Sequence, residues 1–310
     1  MCYTVFMSIK KTVAKTLFDF AYAIAYRPVP GSEENHFPKG GDVPFRLLKP
    51  TLNCWYADPL LTEINGTEYL FMEVFDRKKE KGFIGVSTFA ENGNLTSPRC
   101  VLEESFHLSF PVVFSYEGQY ILMPECSESR SLRFYRLNPL NLSVSLLREI
   151  PTEEKLVDTV VYHAEGKVLT LLSCVENPDN PKQTSLAMFI LPDLENGELT
   201  RIPLPEIYET PSYLLRNGGP VYTGNNKKIR ILQESTETEY GHNLLFRNAD
   251  GFGTEYTEEE LSSLFLEDLP VKLPASFRKQ GTHTYSMSTK HEVIDVSFNR
   301  FHIGNMFYKA

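Results

Sequence analysis

The 310-residue sequence has few of the features that mark specialised protein classes. Its cysteines, an odd number with no C-x-x-C pair, are Cys2, Cys54, Cys100, Cys126 and Cys174. Such a set favours reduced thiols in a cytosolic protein over a disulfide framework or a zinc site. No stretch approaches the roughly 18 continuous apolar residues of a membrane span. The sequence therefore predicts a protein without a membrane span.

Clustered positive charge is also missing. The formal net charge is −9, and no basic run is longer than the three residues 77–79. Because phosphate binding needs a clustered positive surface, we expect no nucleic-acid partner. The sequence has no G-x-S-x-G motif, and its glycine-rich stretches do not follow a strand and open a helix. It therefore supports neither a serine nucleophile nor a phosphate-binding loop.

The N-terminus resembles a signal peptide only loosely. Lys10, Lys11 and Lys15 precede an apolar run, TLFDFAYAIAY, but Asp19 interrupts it. A signal peptide would need an uninterrupted apolar segment. We therefore expect a helix or strand docked on the domain, and a cytoplasmic rather than a secreted or periplasmic protein.

Short strands fill most of the chain. Segments rich in β-branched and aromatic residues are separated by turn signals such as Asn-Gly and Glu-Gly, which is typical of strands joined by hairpins. One longer stretch, residues 256–269, favours a helix with Thr257 as its N-cap. The predicted strands are EYLFMEVF, FIGVSTF, FPVVFSY, QYILMP, LRFYRL, KVLTLLS, SLAMFIL, KIRILQES, NLLFR and EVIDVSF.

A hairpin preceded by a polar residue recurs five times, with copies starting near residues 55, 107, 157, 216 and 281. Each copy leaves room for two further strands. Five four-stranded units predict an all-β fold, a five-bladed β-propeller with a few short helices. We expect one domain over residues 1–310, with residues 1–50 as an N-terminal closing segment. The alternative is a β-sandwich or two β domains.

In a propeller, the starts of the first strands and the ends of the second strands meet at one mouth of the central channel. A set of polar residues recurs at these positions: Asp58, Glu73, His107, Glu125, Asp158, Arg216, Gln233, His283 and Asp295. The alternative for each is a strand cap or a salt bridge between blades.

Several carboxylates beside Arg and His suit acid–base work on a glycosidic bond. One carboxylate must be ionised, and a second must stay protonated as the general acid. Crowded like charges can raise one carboxyl pKa enough for this. Arg216 and Arg230 would orient sugar hydroxyls or bind an anionic ligand group. We expect Glu73, His107, Gln233 and His283 to help bind substrate. An axial calcium ion would suit oxygen ligands, but no spacing indicates one, so we predict no metal or cofactor.

Several segments carry a family resemblance that extends from about residue 20 to residue 300. YADP in a first strand resembles the glycoside hydrolase family 43 superfamily of five-bladed propellers. The chain is more closely similar to the N-terminal domain of glucosamine inositolphosphorylceramide transferases and related bacterial polysaccharide-biosynthesis proteins. The matching segments are AIAYRP, WYADPLL, YLFMEVF, GFIGV, FHLSFPVVF, YILMPE, LVDTVV, RNGGPV, RILQE, YGHNLLF and GTHTYS.

The resemblance implies roles for three carboxyl groups. It makes Asp58 the catalytic base or nucleophile, Asp158 the residue that tunes pKa and orients substrate, and Glu125 the general acid. Glu125 departs from the family 43 order because it precedes Asp158, and Glu73 is the alternative acid.

Two functions remain open at this point. The first is a glycosidase that acts on a glycan or glycoconjugate. The second is a non-catalytic module that binds a sugar or nucleotide-sugar and serves a separate glycosyltransferase or formyltransferase in polysaccharide or glycolipid biosynthesis.

Overall fold

The computed structural model describes residues 18–29, 38, 43–224, 227–265, 267–268, 270–274 and 277–301. These residues form five antiparallel sheets of four or five strands each. The sheets are the blades of a five-bladed β-propeller, which confirms the predicted fold class. Within the described part of the chain, no helix is long and apolar enough to cross a membrane.

Each of the five blades contains one of the predicted hairpins, and blades 1 to 3 each use four consecutive strands. Blade 1 consists of β3 Cys54–Ile64, β4 Thr67–Asp76, β5 Lys81–Thr88 and β6 Arg99–Leu102. Blade 2 consists of β7 Ser109–Tyr116, β8 Gln119–Glu125, β9 Ser131–Leu137 and β10 Val144–Pro151. Blade 3 consists of β11 Leu156–Glu165, β12 Val168–Glu176, β13 Thr184–Leu191 and β14 Thr200–Ile202.

Blades 4 and 5 have divided inner strands, and blade 5 joins both ends of the described chain. Blade 4 consists of β15 Arg216–Asn217, β16 Tyr222–Gly224, β17 Lys227–Glu234, β18 Asn243–Asp250 and β19 Thr257–Leu264. Blade 5 consists of β20 Phe277–Gly281, β21 Tyr285–Met287, β22 His291–Phe301, β1 Phe18–Pro28 and β2 Arg46–Leu48. Antiparallel pairing of β1 with β22 runs from Phe18 opposite Phe301 to Pro28 opposite His291.

Apolar side chains are buried between neighbouring blades rather than in one central core. Separate clusters join blade 1 to blade 2, blade 2 to blade 3, blade 4 to blade 5, and blade 5 back to blade 1. The strands alternate apolar residues toward the two faces of each blade, so each face packs on a neighbour. This packing closes the ring and brings the inner strands together around the axis.

The predicted helix over residues 256–269 is wrong. Residues Gly253–Glu255 form a single 3₁₀ turn, and Thr257–Leu264 form β19 at the outer edge of blade 4. The acidic run favours a helix by propensity, but pairing with β18 overrides it. Two other short helical segments lie in the described part of the chain, the 3₁₀ turn Ser127–Ser129 and the α-helix α1, Glu206–Glu209. The apolar N-terminal run from Phe18 lies in β1, and the lysines before it fall outside the described residues.

Candidate functional site at the propeller mouth

The inner strands of blades 1 to 3 share a bulge that turns one residue toward the axis. Asp58, Phe110 and Asp158 have positive φ angles of 50°, 40° and 47°. The strand register shifts at each of these positions, between Ala57 and Leu60 in blade 1 for example. Asp tolerates this left-handed conformation, but it is a clear outlier for Phe110. A bulge re-aims a side chain, which explains how an aspartate enters an otherwise apolar strand.

Each bulge also links two blades through a carboxylate. The Asp58 N–H donates to Asp295 Oδ2 at 3.2 Å, and the Phe110 N–H donates to Asp58 Oδ2 at 3.1 Å. The Asp158 N–H donates to Glu125 Oε2 at 2.9 Å. In all three cases the acceptor belongs to the preceding blade around the ring. These acids therefore hold the blades in register as well as lining the mouth.

His283 lies between two aspartates. Its Nδ1 is 2.5 Å from Asp295 Oδ2, and its Nε2 is 3.5 Å from Asp58 Oδ1. Although burial opposes the charged form, Asp295 and Asp58 raise the pKa of His283 to about 9. One ligand atom from each of these three side chains lies within 4.8 Å of the others, a grouping that could hold a metal ion. In its protonated form, His283 cannot bind a metal and instead supplies the positive charge between the two aspartates.

Asp158 and Glu125 meet on the other side of the mouth. Arg216 Nε donates to Asp158 Oδ2, and Gln233 Nε2 donates to the same oxygen at 3.3 Å. Arg216 Nη2 lies 4.0 Å from Glu125 Oε2, and Ser127 Oγ donates to Glu125 Oε1 at 2.9 Å. Each carboxylate in this group therefore already accepts hydrogen bonds from the protein.

Glu73 and His107 occupy the blade 1 side. Glu73 Oε1 lies 3.4 Å from His107 Nε2, and the nearby charge of Asp58 acts on the same carboxyl group. Burial, followed by the charges of Asp58, Glu125 and Asp295, raises the pKa of Glu73 well above its usual value. Burial also raises the pKa of Asp58, but His283 opposes that shift. The environment thus keeps Glu73 protonated more strongly than Asp58.

The structure brings the nine predicted mouth residues into one cluster, and the Tyr240 ring links its His283 side to its Arg216 side. The predicted ligand-binding residue Arg230 does not lie on the solvent-facing side of this cluster. Its side chain is 0% exposed and its guanidinium binds Glu258 Oε1 at 2.5 Å, the Asn217 amide oxygen at 2.7 Å and the Leu215 carbonyl. Consecutive strand residues face opposite sides, so Arg230 points away from its mouth-facing neighbour Gln233, three residues on. Arg230 has a structural rather than a ligand-facing position.

A set of rings surrounds the cluster, which we call the aromatic arc: Tyr22, Trp55, Phe75 and Tyr240. Sequence reasoning favoured a core position for Trp55 and missed the other three rings. Ring centroids are 5.3 Å apart for Tyr22 and Trp55, and 4.6 Å apart for Trp55 and Phe75, which stack in parallel. Tyr22 stacks on His283 at 4.8 Å, and Tyr240 meets the same imidazole edge-on at 5.6 Å. No repeated spacing marks these positions, because Tyr22 comes from β1 and Tyr240 from the β17–β18 loop.

A small cavity adjoins Asp58 and Thr284. Its volume is about 10 Å³, and its other walls are Pro59, Leu60, Phe110, Pro111, Val112, Gly219 and Pro220. A space of this size holds about one water molecule, so a sugar does not fit in it.

The sequence model of a protein family, described as glucosamine inositolphosphorylceramide transferase 1, N-terminal, matches residues 50–290 of the chain. The chain belongs to this family. A family member from Arabidopsis thaliana is 38% identical over 111 residues, which cover 36% of this chain and 14% of that protein. One from Oryza sativa subsp. japonica is 25% identical over 272 residues, which cover 82% of this chain and 34% of that protein. The chain thus spans about a third or less of the length of these glucosamine inositolphosphorylceramide transferase relatives.

Solved structures share the propeller fold with this family member. An exo-beta-1,3-galactanase variant from Phanerochaete chrysosporium, with beta-1,3-galactotriose, aligns with a TM-score of 0.54 and 11% identity, over 76% of this chain and 58% of that one. The exo-beta-1,3-galactanase from Clostridium thermocellum aligns with a TM-score of 0.50 and 12% identity, over 73% and 54%. At such low identity these similarities establish the fold alone.

Proposed function

We propose that the mouth binds the sugar part of a glycan or glycoconjugate, and that it recognises this ligand without cleaving it. The observation that supports this proposal is the state of the carboxylates. Asp58 accepts from the Phe110 N–H and from Thr284 Oγ1 at 2.9 Å, and it faces His283. Asp158 is similarly engaged by Arg216 and Gln233. A carboxylate that accepts hydrogen bonds from protein donors stabilises the arrangement of the mouth, but it is poorly placed to attack a substrate.

The exposed part of the mouth suits a sugar. The aromatic arc offers apolar ring surface for the C–H faces of a pyranose, and Trp55, Phe75 and Tyr240 are partly exposed. His107 and Arg216 offer hydrogen-bond donors beside these rings. The relatives are named glucosamine inositolphosphorylceramide transferases. A recognition domain that presents a glycan or glycolipid to a separate glycosyltransferase, or to a formyltransferase, would fit that context.

Glycoside hydrolysis is the second candidate, favoured by the raised pKa of Glu73 beside Asp58. Retaining and inverting enzymes place their two carboxyls about 5–5.5 Å or 6.5–9.5 Å apart, which leaves room for the sugar. Glu73 and Asp58 are only 4% and 7% exposed, so this buried pair leaves no such room. A hydrolase would have to use Asp58 with Glu125, the general acid that the family resemblance implied.

One experiment separates the two functions. The purified chain is titrated calorimetrically with a panel of oligosaccharides and glycolipid headgroups, and the same mixtures are analysed for released sugars. We expect saturable binding without release, weakened at least tenfold in Trp55→Ala. The control is Phe252→Ala, another partly exposed aromatic residue, which lies on a loop after β18. Sugar release that disappears in Asp58→Asn would establish hydrolysis, and no binding across the panel would overturn both functions.

A further inference from the structure

Glu73 has the least satisfied carboxyl group of the mouth. Its residue is 4% exposed, and among the described residues its Oε1 has no hydrogen-bond partner of normal geometry. The nearest nitrogen of an ion-pairing side chain is His107 Nε2, at 3.4 Å. No lysine or arginine among the described residues forms an ion pair with it. A buried carboxylate without a cation is costly, so this environment favours the neutral acid.

The groups that face Glu73 reinforce this preference. Asp58 lies on β3, Glu125 on β8, Asp295 on β22 and Tyr22 on β1, and none of them carries positive charge. Asp58 contacts the charged His283 and accepts an N–H and an O–H, all of which stabilise its ionised form. Each of two neighbouring carboxyl groups disfavours the ionised form of the other, and the charge of Asp58 acts on Glu73 in this way. The proton therefore belongs on Glu73.

The position and tautomer of His107 allow it to orient the protonated Glu73 carboxyl group. Its Nδ1 accepts a hydrogen bond from the Gly82 N–H at 3.0 Å, so Nδ1 carries no proton. The ring proton is therefore on Nε2, which faces Glu73. A Cβ on Gly82 would come within 2.7 Å of Glu73 Oε1, 2.9 Å of His107 Cε1 and 2.4 Å of the Leu108 carbonyl oxygen. Only glycine lets the carboxyl and the imidazole approach each other here.

We infer that Glu73 and Asp58 share one proton carried by Glu73, and that His107 is the positioning residue that keeps the acid turned toward Asp58. The His107 N–H faces the carbonyl oxygen of the acid, which leaves the hydroxyl oxygen for Asp58. The His107 side chain is 29% exposed, so it connects the buried pair with solvent. The mouth thus contains a neutral carboxylic acid, a donor that a ligand oxygen can use. This pair exists whether or not the mouth binds a glycan.

Infrared spectroscopy of the free protein tests the pair without any ligand. At pH 7 we expect a C=O stretching band of a protonated carboxylic acid that is absent in Glu73→Gln. The matched control is Glu125→Gln, which removes a neighbouring mouth carboxylate and should keep the band. If Glu73→Gln does not fold, Asp58→Asn serves instead. Removing the negative neighbour should lower the pH at which the band disappears.

The role of His107 has its own spectral signature. In His107→Phe the acid loses the N–H beside its carbonyl, so the band should move to higher wavenumber. His107→Gln keeps an N–H donor and should restore the original position. A wild-type spectrum without the band, or a band that persists in Glu73→Gln, would overturn the shared proton. An unshifted band in His107→Phe would overturn the positioning role.

Discussion

At the scale of single residues, the charge of His283 links the stability of the fold to pH. Its pKa of about 9, against an ordinary 6.5, is worth about 3 kcal/mol at most. Because the folded pKa is the higher one, this contribution is complete below pH 6.5. It is lost as the pH rises from 6.5 to about 9, since the unfolded chain gives up its proton first.

We therefore expect the free energy of unfolding to fall over this pH window, and to fall less steeply in His283→Gln. Glu73 adds a slope of the same sign, because its raised pKa also means that the folded state holds the proton longer. Urea unfolding at a series of pH values measures both slopes. The control is His163→Gln, whose side chain is 51% exposed. Equal slopes for the wild type and His283→Gln would contradict the prediction.

Gly82 is a second residue whose identity the site requires. Its φ angle is not positive, so the cost of Gly82→Ala is steric rather than conformational. The new Cβ would lie 2.4 Å from the Leu108 carbonyl oxygen, which is backbone and can move only with β7. We expect a loss of about 1–3 kcal/mol in thermal or urea unfolding. Gly118→Ala is the comparison, because its Cβ would meet nothing within 4 Å and only its φ of 75° is unfavourable.

At the scale of elements, the strands could be predicted from the sequence, but the orientation of the site residue on each strand could not. All ten segments predicted as strands lie wholly or mainly within observed strands, because alternation and hairpin turns are local signals. The bulges were not predicted, although a proline follows Asp58, Phe110 and Gly219 alike. A Phe at positive φ is held there by neighbouring blades, and no single-strand pattern contains that information.

The same limit explains the site residues that were missed or misplaced. Tyr240 reaches the mouth from a loop, and its ring packs 4.9 Å from the Arg216 guanidinium carbon. Arg230 looked equivalent to Arg216 in the sequence, but strand alternation turns it toward Glu258. Which face of a strand meets the channel depends on the bulge, and one extra residue reverses it. The carboxylates themselves were predictable because they recur in register with the hairpins.

The pairing of β1 with β22 includes a buried ion pair between opposite residues. Arg27 and Glu292 are 1% and 0% exposed, Arg27 Nε lies 2.5 Å from Glu292 Oε1, and Tyr285 donates to the other carboxylate oxygen. Arg27→Met leaves a buried charge without its cation, so we expect a loss of about 3–5 kcal/mol in urea unfolding.

A second substitution tests this explanation. Because the loss comes from an unpaired charge, Arg27→Met combined with Glu292→Gln should recover part of it. Arg46→Met, on β2 where the arginine makes long contacts at 3.4–3.5 Å, should change stability by less than about 0.5 kcal/mol. A double variant no more stable than Arg27→Met would show that packing against Phe45, and not the charge, sets the loss.

At the scale of the whole molecule, ring closure explains why acids distant in the chain act as one group. Asp58 and Asp295 are separated by 237 positions, yet the N–H of one binds the carboxylate of the other across the junction of blades 5 and 1. Blade 5 makes this contact while it holds strands from both ends of the described chain. The mouth therefore depends on closure as much as on its own side chains.

This dependence predicts the behaviour of a shortened chain. The family match covers residues 50–290, but β1, β2 and β22 of blade 5 lie outside it. A chain of residues 50–290 would lose the partner strands of β20 and β21, and Asp295 with them. We expect it to unfold without a cooperative transition in circular dichroism and to be cut rapidly by protease, because every blade junction relies on the closed ring.

A chain of residues 50–310, which keeps β22, should regain part of its order when a peptide of residues 16–49 is added, since β1 and β2 can then pair in trans. Cooperative unfolding of the 50–290 chain at the temperature of the full chain would mean that four blades hold the mouth without the fifth.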